Sequence, residues 1–180
     1  MNKKNWHSIR AIIILSVLAV IIVVLSFCSV KHLLGVSKER AEAEARAFHN
    51  IDECWQCIQA TNDDVYAMLF FPDDRSSHFY SIYCKHKGLS KGYFPRIGGT
   101  ISEIQNECVQ LIFEKNDSHI YASMNKQKIC KVEIDDGDYV NTILLNEEEP
   151  FILIFPSNAG NVTLYNTCGE IIAPIKRDVP

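Results

Sequence analysis

Cys54-Trp55-Gln56-Cys57 is the spacing in this chain closest to a reactive motif. A dithiol redox site places such a C-x-x-C at a helix N-terminus, where the helix dipole depresses the first thiol's pKa. Here the surrounding pattern puts the motif near the C-terminal end of an expected helix. The dipole disfavours a thiolate there, so redox catalysis is not the expected use. Zinc needs a second pair of ligands. Cys84 and His86 form the nearest group, and C-x-H is not the usual spacing, so neither a metal nor another cofactor is expected. Beyond Cys28 the chain holds Cys54, Cys57, Cys84, Cys108, Cys130 and Cys168. An even set spread through a domain suits structural disulfides in an oxidising compartment. Cys54 and Cys57 are expected to bridge to strand cysteines and staple helix to sheet, with the pairing open.

A second constellation is electrostatic. From Arg75 to Ser102 there is no acid, while Arg75, Lys85, Lys87, Lys91 and Arg96 are basic, and Tyr80, Tyr83, Tyr93 and Phe94 are interleaved. Cationic and aromatic side chains on a Gly-rich loop can hold an anionic ligand or an acidic protein segment. Lys85, Lys87, Lys91, Tyr93 and Arg96 are the candidate ligand-binding residues. The counterpart is Val132 to Ile175, which has eight acids and no Lys or Arg. The plain alternative is that the two stretches compensate one another within the fold.

Asp135-Asp136-Gly137-Asp138 invites a calcium reading, but Gly falls two residues after the first Asp and the twelfth position is Asn146 rather than Glu. A hairpin turn around Asp-Gly is the expected role. No catalytic signature of the G-x-S-x-G, H-E-x-x-H or phosphate-loop kind is present, and no catalytic residue is assigned.

The elements that must position these residues begin with an apolar run. Residues 11–30 carry no charge, Pro or Gly. As a helix they would be about 30 Å long, the thickness of a bilayer's hydrocarbon core, so a single-pass transmembrane signal anchor in the cell membrane is expected. Cleavage, or lipidation at Cys28, is the weaker alternative: the run is long for a signal peptide, and Phe27 is bulky for a lipoprotein signal. Residues 1–10 read as a short cytoplasmic tail bearing Lys3, Lys4 and Arg10. Charge bias and cysteine usage together place the rest outside the cytoplasm. The other 150 residues carry 15 basic and 22 acidic side chains, a net −7, which argues against nucleic-acid binding.

Residues 31–60 read as a connector and amphipathic helix, with Ser37 as cap and a stripe through Leu34, Ala41, Ala45, Phe48, Ile51, Trp55 and Ile58. Residues 61–180 read as a β-rich domain. Val65 to Phe71 fits either element type. Strands are predicted at 78–84, 108–114, 119–124, 128–134, 139–145, 151–155, 162–167 and 170–175. Short turns separate them, so all neighbours should be antiparallel. Residues 88–104 are predicted to be an irregular loop, with a helical turn near Ser102. The fold class expected is α+β: a transmembrane helix running into an amphipathic helix packed on a small antiparallel meander, barrel- or sandwich-like.

The expected function is display of a small β-rich binding domain from a membrane. As an alternative, a membrane helix, an amphipathic helix and a sheet in succession resemble the layout of pilin-like assembly subunits. That family's processing signal, Gly before Phe-Thr-Leu with a Glu five residues into the mature chain, does not occur here. A thiol-dependent enzyme is the third reading. The partners expected are the lipid bilayer through residues 11–30 and an anionic ligand or protein.

Overall fold

A computed structural model describes residues 13–26, 35–86 and 92–179. It is mainly β rather than α+β, with three four-stranded sheets. Helix α1 covers residues 13–26, every one exposed. Among the described residues no helix is long and apolar enough to cross a membrane. This corrects the transmembrane anchor expected over 11–30, and with it the single-pass reading of the fold. Residues 11, 12 and 27–30, including Cys28, lie outside the described residues.

Helix α2 is Lys38–His49. It was expected to reach residue 60, but Asn50 takes the left-handed conformation (φ 52°) and its N–H closes on the Arg46 carbonyl. Asn tolerates that conformation at little cost. The chain then turns and Gln56–Thr61 becomes strand β1. Apolar spacing through Ile51, Trp55 and Ile58 survives as contacts with the core, not as helix.

The first sheet is a meander of β1, β2 (Val65–Phe71), β3 (Phe79–Lys85) and β4 (Tyr93–Gly99). All seven residues of β2 are buried because both faces of the sheet are covered. Tyr66, Met68 and Phe70 face α2, whose Ala41 and Ala45 lie flush against the sheet. Val65, Ala67, Leu69 and Phe71 face the second sheet. Arg46 locks the helix down. Its guanidinium pairs with Glu42 at 2.9 Å, donates to the carbonyls of Asp52 and Trp55, and lies 4.9 Å over the Phe70 ring. β4 replaces much of the expected loop. Its Gly98 is where α2 comes closest: a Cβ there would sit 3.0 Å from the His49 ring.

After helix α3 (Ser102–Asn106), the second and third sheets interleave in sequence. β5 (Val109–Phe113), β6 (Ser118–Ser123), β9 (Phe151–Pro156) and β12 (Ile175–Asp178) form the second sheet. β7 (Ile129–Asp135), β8 (Val140–Leu144), β10 (Asn161–Asn166) and the two-residue β11 (Ile171–Ile172) form the third. Strand orders are β12-β5-β6-β9 and β11-β10-β7-β8. β12 pairs parallel to β5, which corrects the all-antiparallel expectation. Alternation along β9 sends Ile152 and Ile154 toward the first sheet, and Phe151, Leu153 and Phe155 toward the third. The result is a stack of four layers, α2 and three sheets, in place of a single curled meander.

The expected disulfides are also corrected: all six described cysteines are free. The layering separates the more buried ones. Cys57 lies on the helix side of the first sheet, Cys84 in the core between the first and second sheets, and Cys108 between the second and third. Cys54 and Cys168 are exposed, at turns next to different sheets. A bridge needs Cβ atoms within about 4.5 Å, and side chains on opposite faces of a sheet cannot supply that. The free thiols also remove one of two arguments for an extracytoplasmic domain and leave only the flanking-charge bias.

Candidate anion-binding cleft

β3 and β4 run antiparallel, pairing Cys84 with Phe94 and Lys85 with Tyr93. The register shifts between Ile82 and Tyr83: Ile82 pairs with Ile97 and Tyr83 with Pro95. Arg96 is the residue left over. A bulge of this kind re-aims a side chain that a regular ladder would place elsewhere. The 3₁₀ turn Glu114–Asn116, between β5 and β6, brings Asn116 from the second sheet to the same place. Together Cys84, Lys85, His86, Phe94, Pro95, Arg96 and Asn116 line an open cleft of about 400 Å³.

His86 and Arg96 line it with the Asn116 amide, and among the described residues no acid does; Lys85 also lines it, but its ammonium lies on the Tyr93 side of the sheet. The His86 ring packs edge-on against Phe94, with centroids 4.5 Å apart. Lys85 is half-buried, its ammonium 5.1 Å from the centre of the Tyr93 ring and its backbone N–H bonded to the Asp64 carbonyl. Cys84 forms the floor. Burial pushes its thiol up to about 11, opposed by the Arg96 charge and reinforced by the nearby Asp64 carboxylate, so at neutral pH it stays protonated. A protonated thiol is a poor nucleophile.

Of the five predicted ligand residues, the structure brings Lys85 and Arg96 together at the cleft. Tyr93 faces the other way, buried beside Tyr66 under α2, and draws the Lys85 ammonium to its own side, so that Lys85 borders the cleft without aiming its charge into it. Lys87 and Lys91 lie outside the described residues. Asn116 carries no functional signal in the sequence, because its partners in the cleft are some twenty to thirty residues away. Elsewhere Arg75, the first residue of the basic stretch, donates to the Glu148 backbone carbonyl, and Lys128 pairs with the Glu148 carboxylate at 3.2 Å.

The other motifs resolve structurally. Cys54 sits in a turn and Cys57 in β1, so no helix N-terminus activates them. Burial pushes the Cys57 thiol up to about 12, and the Asp52 carboxylate raises that of Cys54. Asp135 and Asp136 spend their Oδ1 atoms on the N–H groups of Gly137, Asp138 and Tyr139, closing the β7–β8 hairpin with Gly137 at φ 96°. No group of three or more metal-ligating side chains occurs among the described residues. The chain matches no protein-family model, no curated protein and no solved structure.

Proposed function

We propose that this chain is a non-catalytic binding module whose β3–β4 cleft takes a phosphate- or carboxylate-bearing ligand, and that the exposed apolar helix α1 attaches it to lipid. The observation that carries the reading is the meeting of His86, Arg96 and the Asn116 amide on walls to which no described residue contributes a carboxylate, with the Lys85 charge close by on the same strand. A planar guanidinium beside an amide suits oxyanion recognition, since charge-assisted hydrogen bonds are about twice as strong as neutral ones. The rim is open, so water screens each pair and binding depends on ionic strength. Phe94 adds an apolar surface beside the charges, which suits a ligand larger than a bare ion. Support for lipid attachment is the run of exposed Ile, Leu and Val along α1, which water solvates poorly.

Calorimetric titration of the detergent-solubilised full chain with inorganic pyrophosphate, at low and at high salt, tests the cleft. Binding should weaken as salt rises, and Lys85→Glu or Arg96→Glu should lower affinity by about tenfold or more. No binding at millimolar pyrophosphate, or equal affinity in both variants, would overturn the proposal.

A further inference from the structure

Six strand edges close the three sheets, and five are blunted. β4 is interrupted by its bulge and Pro95, and bridged by Val36. β1 lies against β9, so these two edges cover one another. β11 has two residues, and β12 carries Lys176, Arg177 and Asp178. β8 is the exception. Val140-Asn141-Thr142-Ile143-Leu144 has no charge and no Pro, and Val140 and Leu144 are 58% and 78% exposed. Natural sheets protect such edges with charges, prolines or bulges, because an open row of N–H and C=O groups templates another strand.

The ladder says which groups are open. Leu145 donates to the Cys130 carbonyl and Asp136 to that of Tyr139, so the odd-numbered residues of β8 bond inward to β7. In an antiparallel ladder, bonded and non-bonded positions alternate. Val140, Thr142 and Leu144 therefore turn their N–H and C=O groups to the open edge. Their side chains share the outer face, because Ile143 packs inward against the core.

We infer that a second copy of this chain pairs with β8 antiparallel about a twofold axis through Thr142. In that register Val140 faces Leu144 of the other copy, Thr142 faces Thr142, and Leu144 faces Val140. Each outward-facing residue meets another, so all three positions exchange both backbone bonds. On the outer face two apolar pairs flank a Thr–Thr pair, a favoured cross-strand combination. The strand itself carries no charge, and the register sets the Asp136–Asp138 turn of each copy beside Asn146–Glu148 of the other, so pairing should strengthen as salt rises. The two outer sheets become one eight-stranded sheet, and the contact is isologous and closed, stopping at a dimer.

Sedimentation velocity of the detergent-solubilised full chain should give a dimer at tens of micromolar. Thr142→Pro removes only an outward N–H, a substitution edge strands tolerate, and should leave a monomer with an unchanged melting temperature. Thr142→Lys and Thr142→Glu should each be monomeric alone and dimeric when mixed, which separates loss of pairing from loss of folding. Amide exchange at Val140, Thr142 and Leu144 should slow at least tenfold on dimerisation. A monomeric native chain would overturn the inference and leave the edge to a strand of some other protein. A dimer that persists in the Pro and Lys variants would overturn it too, placing the contact elsewhere, such as at α1.

Discussion

At the scale of single residues, buried polar side chains organise the turns. His78 is buried between β2 and α3. Its Nε2 accepts the Ile101 N–H at 3.2 Å and its Nδ1 shares a hydrogen with the Gln105 amide oxygen at 3.0 Å. The Gln105 amide in turn donates to the Arg75 carbonyl. Burial pushes the His78 pKa below its ordinary value, against a smaller upward pull from these hydrogen bonds. The folded state thus binds fewer protons than the unfolded one below about pH 6.5, so stability rises with pH in that window. The contribution is fully present above the ordinary histidine value and is lost as pH falls toward the depressed one. His49, also pushed down by burial, acts with the same sign. Unfolding free energies from denaturant titrations between pH 7.5 and 5 should fall by no more than about 1.4 kcal/mol per pH unit per histidine. In His78→Gln the slope should flatten; an unchanged slope would assign the dependence elsewhere. Asn125, left-handed at φ 57°, satisfies both the N–H and the carbonyl of Ile129 with its side chain. It stood in the sequence simply as a turn residue.

At the scale of elements, the informative case is α2 on the first sheet. Small residues at Ala41 and Ala45 let the helix backbone approach Tyr66, Met68 and Phe70, and both alanines are fully buried. Enlarging Ala45 to Leu forces the layers apart and should destabilise the fold by about 1–3 kcal/mol in chemical denaturation, whereas Arg40→Ala on the exposed face of the same helix should cost far less. An equal effect of both would mean that α2 is not packed as described. The element was legible in part: its start and its alanine stripe were read from the sequence. Its end was not, because residues 51–60 keep helical apolar spacing while pairing with β2 as a strand. Most strands of the second and third sheets were legible from period-two alternation and Asx- or Gly-bearing turns. β4 was not, since Pro95, Gly98 and Gly99 read as loop chemistry. They are tolerated on an edge strand, where Pro removes no ladder bond that matters.

At the scale of the whole molecule, the four-layer stack decides the state of the thiols. Cys84 and Cys108 lie in separate cores and Cys57 faces α2, while Cys54 and Cys168 are exposed. Thiol-reactive dye added to a Cys28→Ser variant without reductant should label Cys54 and Cys168 within minutes. Cys84 and Cys108, whose thiols burial pushes up to about 11 and about 12, should react only after denaturation. Fewer than six reactive thiols in denaturant would mean that bridges had formed. By itself the sequence determined what depends on neighbours along the chain: the β-rich composition, the turns, the positions of most strands, and the cationic stretch from Arg75 to Arg96. Periodicity and turn chemistry are local, so they survive in the sequence. Only the tertiary structure decided which faces meet. Interleaving of β7, β8, β10 and β11 among the strands of the second sheet separates the cysteines. A single bulge aims Arg96 at a wall shared with Lys85 and Asn116. Chain-distant contacts of this kind leave no periodic trace, because a sheet's neighbours are fixed by layer packing and register rather than by spacing along the chain.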